Sequence, residues 1–382
     1  MKVCLITGSR AEYGMLKQLI FLIKKEKTIN IQIVVTGAHL SKKYGKTIKE
    51  IKSDGIKVSK RVNLNIKSRT SEDIIKSINK GMLGFVKVFK NLSPEIIIVL
   101  GDRYEIFSAV VAACFCKIPI AHIHGGETTH GAIDEALRHT ITKMSHFHFV
   151  ANSNYKKRVI QLGENPNKVF VVGGLGVDSI KKTKLLTKHQ LEKKIGLKFK
   201  KKNLIVNFHP ETLNNLSIKI EFSKLLNVLK KQKDTNLIFT MPNSDQGSEL
   251  ISKMIKNFVK KNNNTFFFSS LGSLNFYSCL QYVDGMIGNS SSGLLEMPTF
   301  KKGTINIGKR QDGRLKAKSV INSKLSKQDI LKSINILYSK SFQNKLRTTT
   351  NPYGNGGASL KILNILKKIK LKNILIKKFY DI

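Results

Sequence analysis

The chain has 382 residues, 41% of them hydrophobic, which is enough for a sizeable core and long enough for two domains. Lys and Arg number 67 against 25 Asp and Glu, a formal net charge of +42, yet no run reaches the roughly 18 uninterrupted apolar residues that cross a bilayer. The lysines are dispersed and rarely interleaved with aromatics, and Lys, Ile and Asn are abundant together as A/T-rich codons produce, so neither nucleic acid nor membrane is expected as a partner.

In chain order, the opening MKVCLITGSRAEYG reads as a strand and a turn rather than a secretion signal. Short runs, apolar on both faces, follow at 2–8, 31–37, 95–100, 119–124, 147–151 and 168–173. Helical stretches separate them, including 132–145 with Ile133, Leu137, Ile141 and Met144 as its apolar stripe. After a Lys-rich link around 181–202 the pattern restarts at 203–208, 236–241, 264–268, 283–287 and 303–307. Buried parallel strands covered by helices have this pattern, and its repetition predicts two doubly wound α/β domains joined near 180–200. The tail after NPYGNGGAS (351–359) reads as a hinge followed by a basic helix. Cys4, Cys114, Cys116 and Cys279 form no CxxC pair and lie in apolar runs, which predicts buried reduced thiols in a cytoplasmic protein.

Polar motifs stand at the carboxyl ends of these strands, where open α/β sheets bind ligands. Six of the nine histidines fall in HIHGGETTHGAIDEALRHTITKMSHFH (122–148), which also carries Glu127, Asp134, Glu135 and Arg138. Gly101-Asp102-Arg103 ends a wholly apolar strand just upstream. Histidines beside carboxylates move protons near neutral pH, making Asp102, His124, Glu127 and Asp134 the acid–base candidates. Each has a plainer reading: Asp102 as a helix N-cap, Asp134 as the i,i+4 partner of Arg138, and His146 and His148 as hydrogen-bonded packing residues. The paired histidines match no HExxH or Cys/His zinc pattern, so no metal is expected. Without GxGxxG after the first strand or GxxxxGK[ST] anywhere, no nicotinamide or P-loop cofactor is expected either.

Asn289 to Gly293, with Ser290, Ser291 and Ser292 between them, join a strand to a helix that holds Glu296. Free backbone N–H groups and hydroxyls at a helix start suit a diphosphate, and Glu296 could take the two hydroxyls of a ribose. Arg10 follows the first strand and His209 the first strand of the second half, both placed to meet phosphate.

The ordered series SRAEYG (9–14), GDRYE (101–105), HIHGGETTHGAIDEALRH (122–139), FHPET (208–212), MPNSDQG (241–247), GNSSSG (288–293) and GKRQDGR (308–314) resembles the hydrolysing UDP-N-acetylglucosamine 2-epimerases of bacterial sialic- and legionaminic-acid pathways. The resemblance implies a glycosyltransferase-B-like fold, two Rossmann-like domains facing a cleft (1–180 and 181–355), with a C-terminal helix (356–382) crossing back to the first. It implies Arg10, His209, Asn243, the serine turn, Glu296 and Arg310 around the nucleotide diphosphate. His39, Arg103, His122 and Arg138 would attend the sugar. His124 stands where relatives often have Glu, so the proton transfer falls to either His124 or Glu127. A homo-oligomer, dimer or tetramer, is a further implication.

The implied reaction takes UDP-N-acetylglucosamine through a glycal to N-acetylmannosamine and UDP. A UDP- or GDP-linked diacetylbacillosamine is the alternative substrate, and a glycosyltransferase of the same fold the alternative of another class.

Overall fold

The computed structural model describes residues 1–42, 45–66, 70–130, 132–211, 218–242 and 247–382. They divide into two compact units: Met1–Glu127, Ile133–Lys182 and Tyr353–Ile382 form the first, and Thr128–Ala132 and Thr183–Pro352 the second.

In the first unit, β1 (Lys2–Thr7), α1 (Arg10–Lys25), β2 (Asn30–Thr36), α2 (Ile48–Ser53), β3 (Lys60–Val62), α3 (Ser71–Leu92), β4 (Ile96–Leu100), α4 (Tyr104–Phe115), β5 (Ile120–Ile123), α5 (Asp134–Met144), β6 (Phe147–Val150), α6 (Ser153–Gln161), β7 (Val169–Val171) and α7 (Leu175–Lys182) follow one another. The seven strands pair in parallel in the order β3-β2-β1-β4-β5-β6-β7, reversing direction of travel between β1 and β4. The IIIVL of β4 is buried throughout because apolar side chains cover both faces of the sheet.

The second unit runs α8 (Lys188–Ile195), β8 (Lys202–Asn207), α9 (Ile218–Leu229), β9 (Thr235–Thr240), α10 (Ser248–Lys260), β10 (Thr265–Phe268), α11 (Gly272–Tyr282), β11 (Gly285–Gly288), α12 (Ser292–Leu295), β12 (Gly303–Ile307), β13 (Val320–Ser323), α13 (Lys327–Tyr338) and α14 (Lys340–Arg347). Its strand order is β10-β9-β8-β11-β12-β13, again parallel with a reversal after the first strand. Both sheets are therefore doubly wound and have a switch point, beside β1 and β8, where ligands bind in such folds. No helix among the described residues is long and apolar enough to cross a membrane.

Three expectations need correction. The tail is helical only over α15 (Ala358–Leu366), which packs on α1 and α7. Beyond it Lys367, Lys368, Lys370 and Lys372 crowd like charges, and the chain runs on without helix, held by Lys377 donating to Glu164 at 2.9 Å. The glycine-rich start of this segment is fastened: Gly174 N donates to Tyr353 O at 2.7 Å, and Asp178, buried, accepts from the N–H groups of Gly357 and Ser359. Finally, Cys114 is exposed, since it lies on the solvent side of the last turn of α4 beside Phe115.

Candidate active site

β1 ends in a turn that the chain braces twice. Ser9 caps α1 by accepting from Glu12 N, while the Glu12 carboxylate accepts from Gly8 N at 2.7 Å and Ser9 Oγ at 3.0 Å. Arg10, half-buried, is the first residue of the helix so fixed. Beneath the turn lies His39, fully buried on a single 3-10 turn (Gly37–Leu40). Thr7 Oγ1 gives its hydrogen to Ser9 O, so His39 Nε2–H donates to Thr7 Oγ1 at 3.0 Å and Nδ1 accepts from Thr47 at 2.8 Å. Both ring nitrogens are thus occupied. Burial holds the imidazole neutral, its pKa lowered to about 3. His39 thus braces the turn that carries Arg10.

β4 ends at Gly101, whose φ of +81° is open to glycine at little cost. Asp102 does not cap α4; that position is Arg103, without a side-chain cap bond. Asp102 is instead ion-paired to Nη2 of Arg138. Arg138 is 1% exposed, and its Nη1 also donates to Glu127 O at 3.0 Å and Glu135 Oε2 at 3.2 Å. The Arg138 guanidinium is thereby shared among Asp102, Glu135 and the Glu127 carbonyl. Arg103 turns its guanidinium onto buried Glu105 at 3.1 and 3.2 Å.

The expected apolar stripe of α5 is also revised. Ile133 is 52% exposed, and the face turned inward is Arg138, Ile141 and Thr142. That polar face meets the end of β5. His122 Nε2 lies 2.8 Å from Gly101 O, and a carbonyl can only accept, so Nε2 carries the hydrogen and Nδ1 accepts from Thr142 at 3.1 Å. Burial keeps this ring neutral too, at about 3. His122, fully buried, sets the Gly101-Asp102 turn.

His124 differs from its neighbour. Its backbone is left-handed (φ +67°), a conformation seldom adopted by residues with a side chain. Its Nδ1 stands 3.2 Å from Glu127 Oε1, too poorly aligned for a hydrogen bond, and the two groups are 5% and 2% exposed. Its buried Nε2 has no hydrogen-bond partner among the described residues. Asp134, half-buried, opens α5, where the helix dipole favours its ionised form. Asp102, His124, Glu127 and Arg138 thus form one connected constellation at the ends of β4 and β5. His146 and His148 are packing residues: His146 Nδ1 accepts from Ile120 N, and His148 bonds Glu164 at 2.9 Å.

In the second unit, Asn289 ties the ends of β8 and β11 together, accepting from His209 N at 2.7 Å and donating to His209 O at 2.8 Å. Arg310 and Gln311 both donate to Asn289 O, at 3.2 and 2.8 Å. Ser290 and Glu296 are buried and Ser291 and Ser292 half-buried. The helix that follows is a single turn, so the N–H groups of Ser292, Gly293 and Leu294 bond back to Ser290 and Ser291 instead of standing free. Gly293 serves packing, because an added Cβ would strike Thr304 on β12. Asn243 lies outside the described residues. Among those described, no group of three His, Cys, Asp or Glu could hold a metal ion.

Sequence reading missed Glu12, Glu105 and Arg158 as site-building residues. Glu12 had a signal, since Ser9-x-x-Glu12 has capping-box spacing; Arg158, which donates to Gly126 O from α6, had none.

Residues 22–367 match the family model described as UDP-N-acetylglucosamine 2-epimerase. The chain belongs to the UDP-N-acetylglucosamine 2-epimerase family. Among relatives, it is 40% identical to the polysialic acid biosynthesis protein P7 of Escherichia coli, over 100% of this chain and 97% of that one. It is 39% identical to the GDP/UDP-N,N'-diacetylbacillosamine 2-epimerase (hydrolyzing) of Campylobacter jejuni, over 100% and 99%. A UDP-N,N'-diacetylbacillosamine 2-epimerase (hydrolyzing) of Legionella pneumophila is 34% identical over 99% and 98%. The fold matches that of a UDP-GlcNAc 2-epimerase from Neisseria meningitidis solved with UDP-GlcNAc, with a TM-score of 0.83 at 21% identity over 97% of this chain and 100% of that one. This 2-epimerase family member accordingly shares the two-sheet architecture of glycosyltransferase-B-like proteins.

Proposed function

We propose that this family member is a hydrolysing 2-epimerase, converting UDP-N-acetylglucosamine to N-acetylmannosamine and UDP in a cytoplasmic pathway towards sialic-type acids. The observation that carries the reading is the constellation of Asp102, His124, Glu127 and Arg138 at the strand ends of the first unit. The C2–H bond is weakly acidic, so departure of UDP from C1 runs ahead of proton removal. Stabilising that leaving group falls to Arg10, His209, Asn243, Ser290, Ser291, Ser292 and Arg310, with Glu296 on the ribose. One such contact is typically worth about 3 kcal/mol of barrier.

Epimerisation needs proton transfer on both faces of C2. Asp102, paired with Arg138, is the candidate base. His124 can serve as base or acid, and its buried Nε2 has no hydrogen-bond partner among the described residues. Glu127, whose Oε1 lies 3.2 Å from His124 Nδ1, is the alternative group for the same transfer. Asp134 is the third proton-handling group, serving the water that adds at C1.

A second reading keeps the chemistry and changes the sugar to diacetylbacillosamine on UDP or GDP, because relatives 39% and 34% identical bear that name. A panel of UDP- and GDP-sugars incubated in D₂O, with product NMR, tests both. Deuterium at C2 of a released manno-configured sugar is the expected result; nucleotide release without it means simple hydrolysis, and release only with an added acceptor means a glycosyltransferase. Homo-oligomerisation goes with the family reading. A monomeric mass in light scattering would count against it.

A further inference from the structure

The stretch Thr128–Ala132 belongs to the second unit, whereas Glu127 before it and Ile133 after it belong to the first. It joins the proposed proton-transfer pair His124–Glu127 to Asp134. Within the second unit its anchor is Arg314. Arg314 Nε donates to Thr128 O at 2.7 Å and Nη2 to Thr129 Oγ1 at 3.1 Å. Thr128 Oγ1 donates in turn to Asp312 O at 3.2 Å. Gly313, at φ +78°, passes so close that a Cβ there would collide with Thr128 Oγ1. Thr128 and Thr129 are 6% and 2% exposed, so these bonds are shielded from water.

The neighbouring carbonyls are held the same way. Gly126 O accepts from Arg158 and Glu127 O from Arg138. Three successive carbonyls, 126 to 128, therefore each receive a guanidinium N–H from a different part of the chain. A connecting loop needs no such series, since water or neutral donors satisfy carbonyls adequately. Charge-assisted bonds in sequence fix a backbone firmly, and here the fixed backbone is that of Glu127.

We propose that Arg314 is a positioning residue for proton transfer, holding Thr128 and Thr129 so that Glu127 and Asp134 keep their geometry about the reacting carbon. The inference rests on the 2-epimerase reading. Arg314 itself is not asked to touch the sugar or to bind the nucleotide. Misplacing a catalytic group by about 1 Å from a distance typically costs about 100-fold in rate.

The test uses the full chain with the best nucleotide sugar of the panel. Arg314→Ala should lower kcat about 10- to 100-fold with the KM and the calorimetric Kd for UDP changed less than about twofold. Arg314→Lys, which can still reach the Thr128 carbonyl, should recover part of the loss, and Thr129→Val should show a smaller one. The kcat–pH profile of Arg314→Ala should shift, because the His124–Glu127 contact loosens; a merely structural staple leaves the profile in place and lowers only the active fraction. Unchanged kcat in Arg314→Ala, or a kcat loss matched by lost UDP affinity, overturns the proposal. Should the alanine variant not fold, Arg314→Lys and Thr129→Val are judged by the same two criteria. A wild-type enzyme that releases no C2-deuterated sugar defeats the underlying reading instead, and the two failures are told apart.

Discussion

Glu12 sits 4% exposed beneath the Arg10 turn, and burial raises its pKa from the usual 4.5 to about 7; the charge of Glu105 adds to this, while Gly8 N–H, Arg103 and Ser9 oppose it. An acid whose folded pKa is raised holds its proton more tightly folded than unfolded. Its contribution to stability is complete below the unfolded value and disappears as pH rises through 4.5 to 7. Relative to Glu12→Gln, which cannot ionise, the wild-type unfolding free energy should therefore fall by about 2 kcal/mol between pH 5.5 and 8. Urea unfolding at those two pH values measures it, and a difference that does not move with pH would place Glu12 in the ordinary carboxylate range. The residue scale also explains what sequence could and could not convey about the site. The gathering of Asp102, His124 and Glu127 was legible because carboxylates and imidazoles stood at predicted strand ends. His39 and His122 stood there too, and nothing in the letter H distinguishes a ring facing a ligand from one bonded to core hydroxyls. Their partners, Thr7, Thr47 and Thr142, are identifiable only once the chain has folded.

Among the elements, strands apolar on both faces announced themselves, since a parallel sheet covered by helices admits little else. β3 and β13 escaped notice for the same reason in reverse. They are short edge strands, and Lys60 and Arg61 in β3 and Asn322 in β13 point to solvent, breaking the apolar run. The C-terminal segment was misjudged in length because basic residues carry good helix propensity singly but repel one another in a cluster. What keeps it on the first unit is specific: Asp178, 2% exposed on α7, accepts Gly357 N through Oδ1 and Ser359 N through Oδ2. Asp178→Ala would leave two N–H donors without acceptors at the start of α15, at a cost of about 2–3 kcal/mol. Asp178→Asn, keeping one acceptor oxygen, should lose roughly half as much. Limited proteolysis checks the location of the damage: cleavage near Gly354–Gly357 should quicken in the alanine variant while the rest of the first unit stays resistant. Equal protease sensitivity in variant and wild type would mean that α15 is held by its packing on α1 alone.

For the whole molecule, the +42 charge and the buried histidines act together as pH falls. Burial depresses His39 and His122 to about 3 and His146 to about 4, the last with help from the nearby charges of Lys377 and His148. A base whose folded pKa is lowered gives stability that is complete above the unfolded value of 6.5 and is lost as pH drops below it, because the unfolded chain gains protons that the folded one refuses. At pH 5.5 each of the three gives up about 1.4 kcal/mol, roughly 4 together. Glu12 works in the opposite direction, but it is one group against three. A net loss of a few kcal/mol is a large part of the usual 5–15 kcal/mol total, and the excess of lysine adds self-repulsion that grows as remaining carboxylates protonate. The protein should therefore unfold on mild acidification, at about pH 5 in low salt, well above the acid limit of a chain whose histidines are exposed. Salt separates the two causes: raising ionic strength screens the lysine field and should shift the transition by a fraction of a unit, yet leave the histidine part in place. Replacing His39 with Gln, which keeps a donor and an acceptor without a titrating ring, should weaken the fold at neutral pH and also flatten the stability–pH slope by about 1.4 kcal/mol between pH 7 and 5.5. Circular dichroism melts across that range decide the matter, and a slope unaltered in the glutamine variant would show that His39 takes up its proton without opposition from the fold.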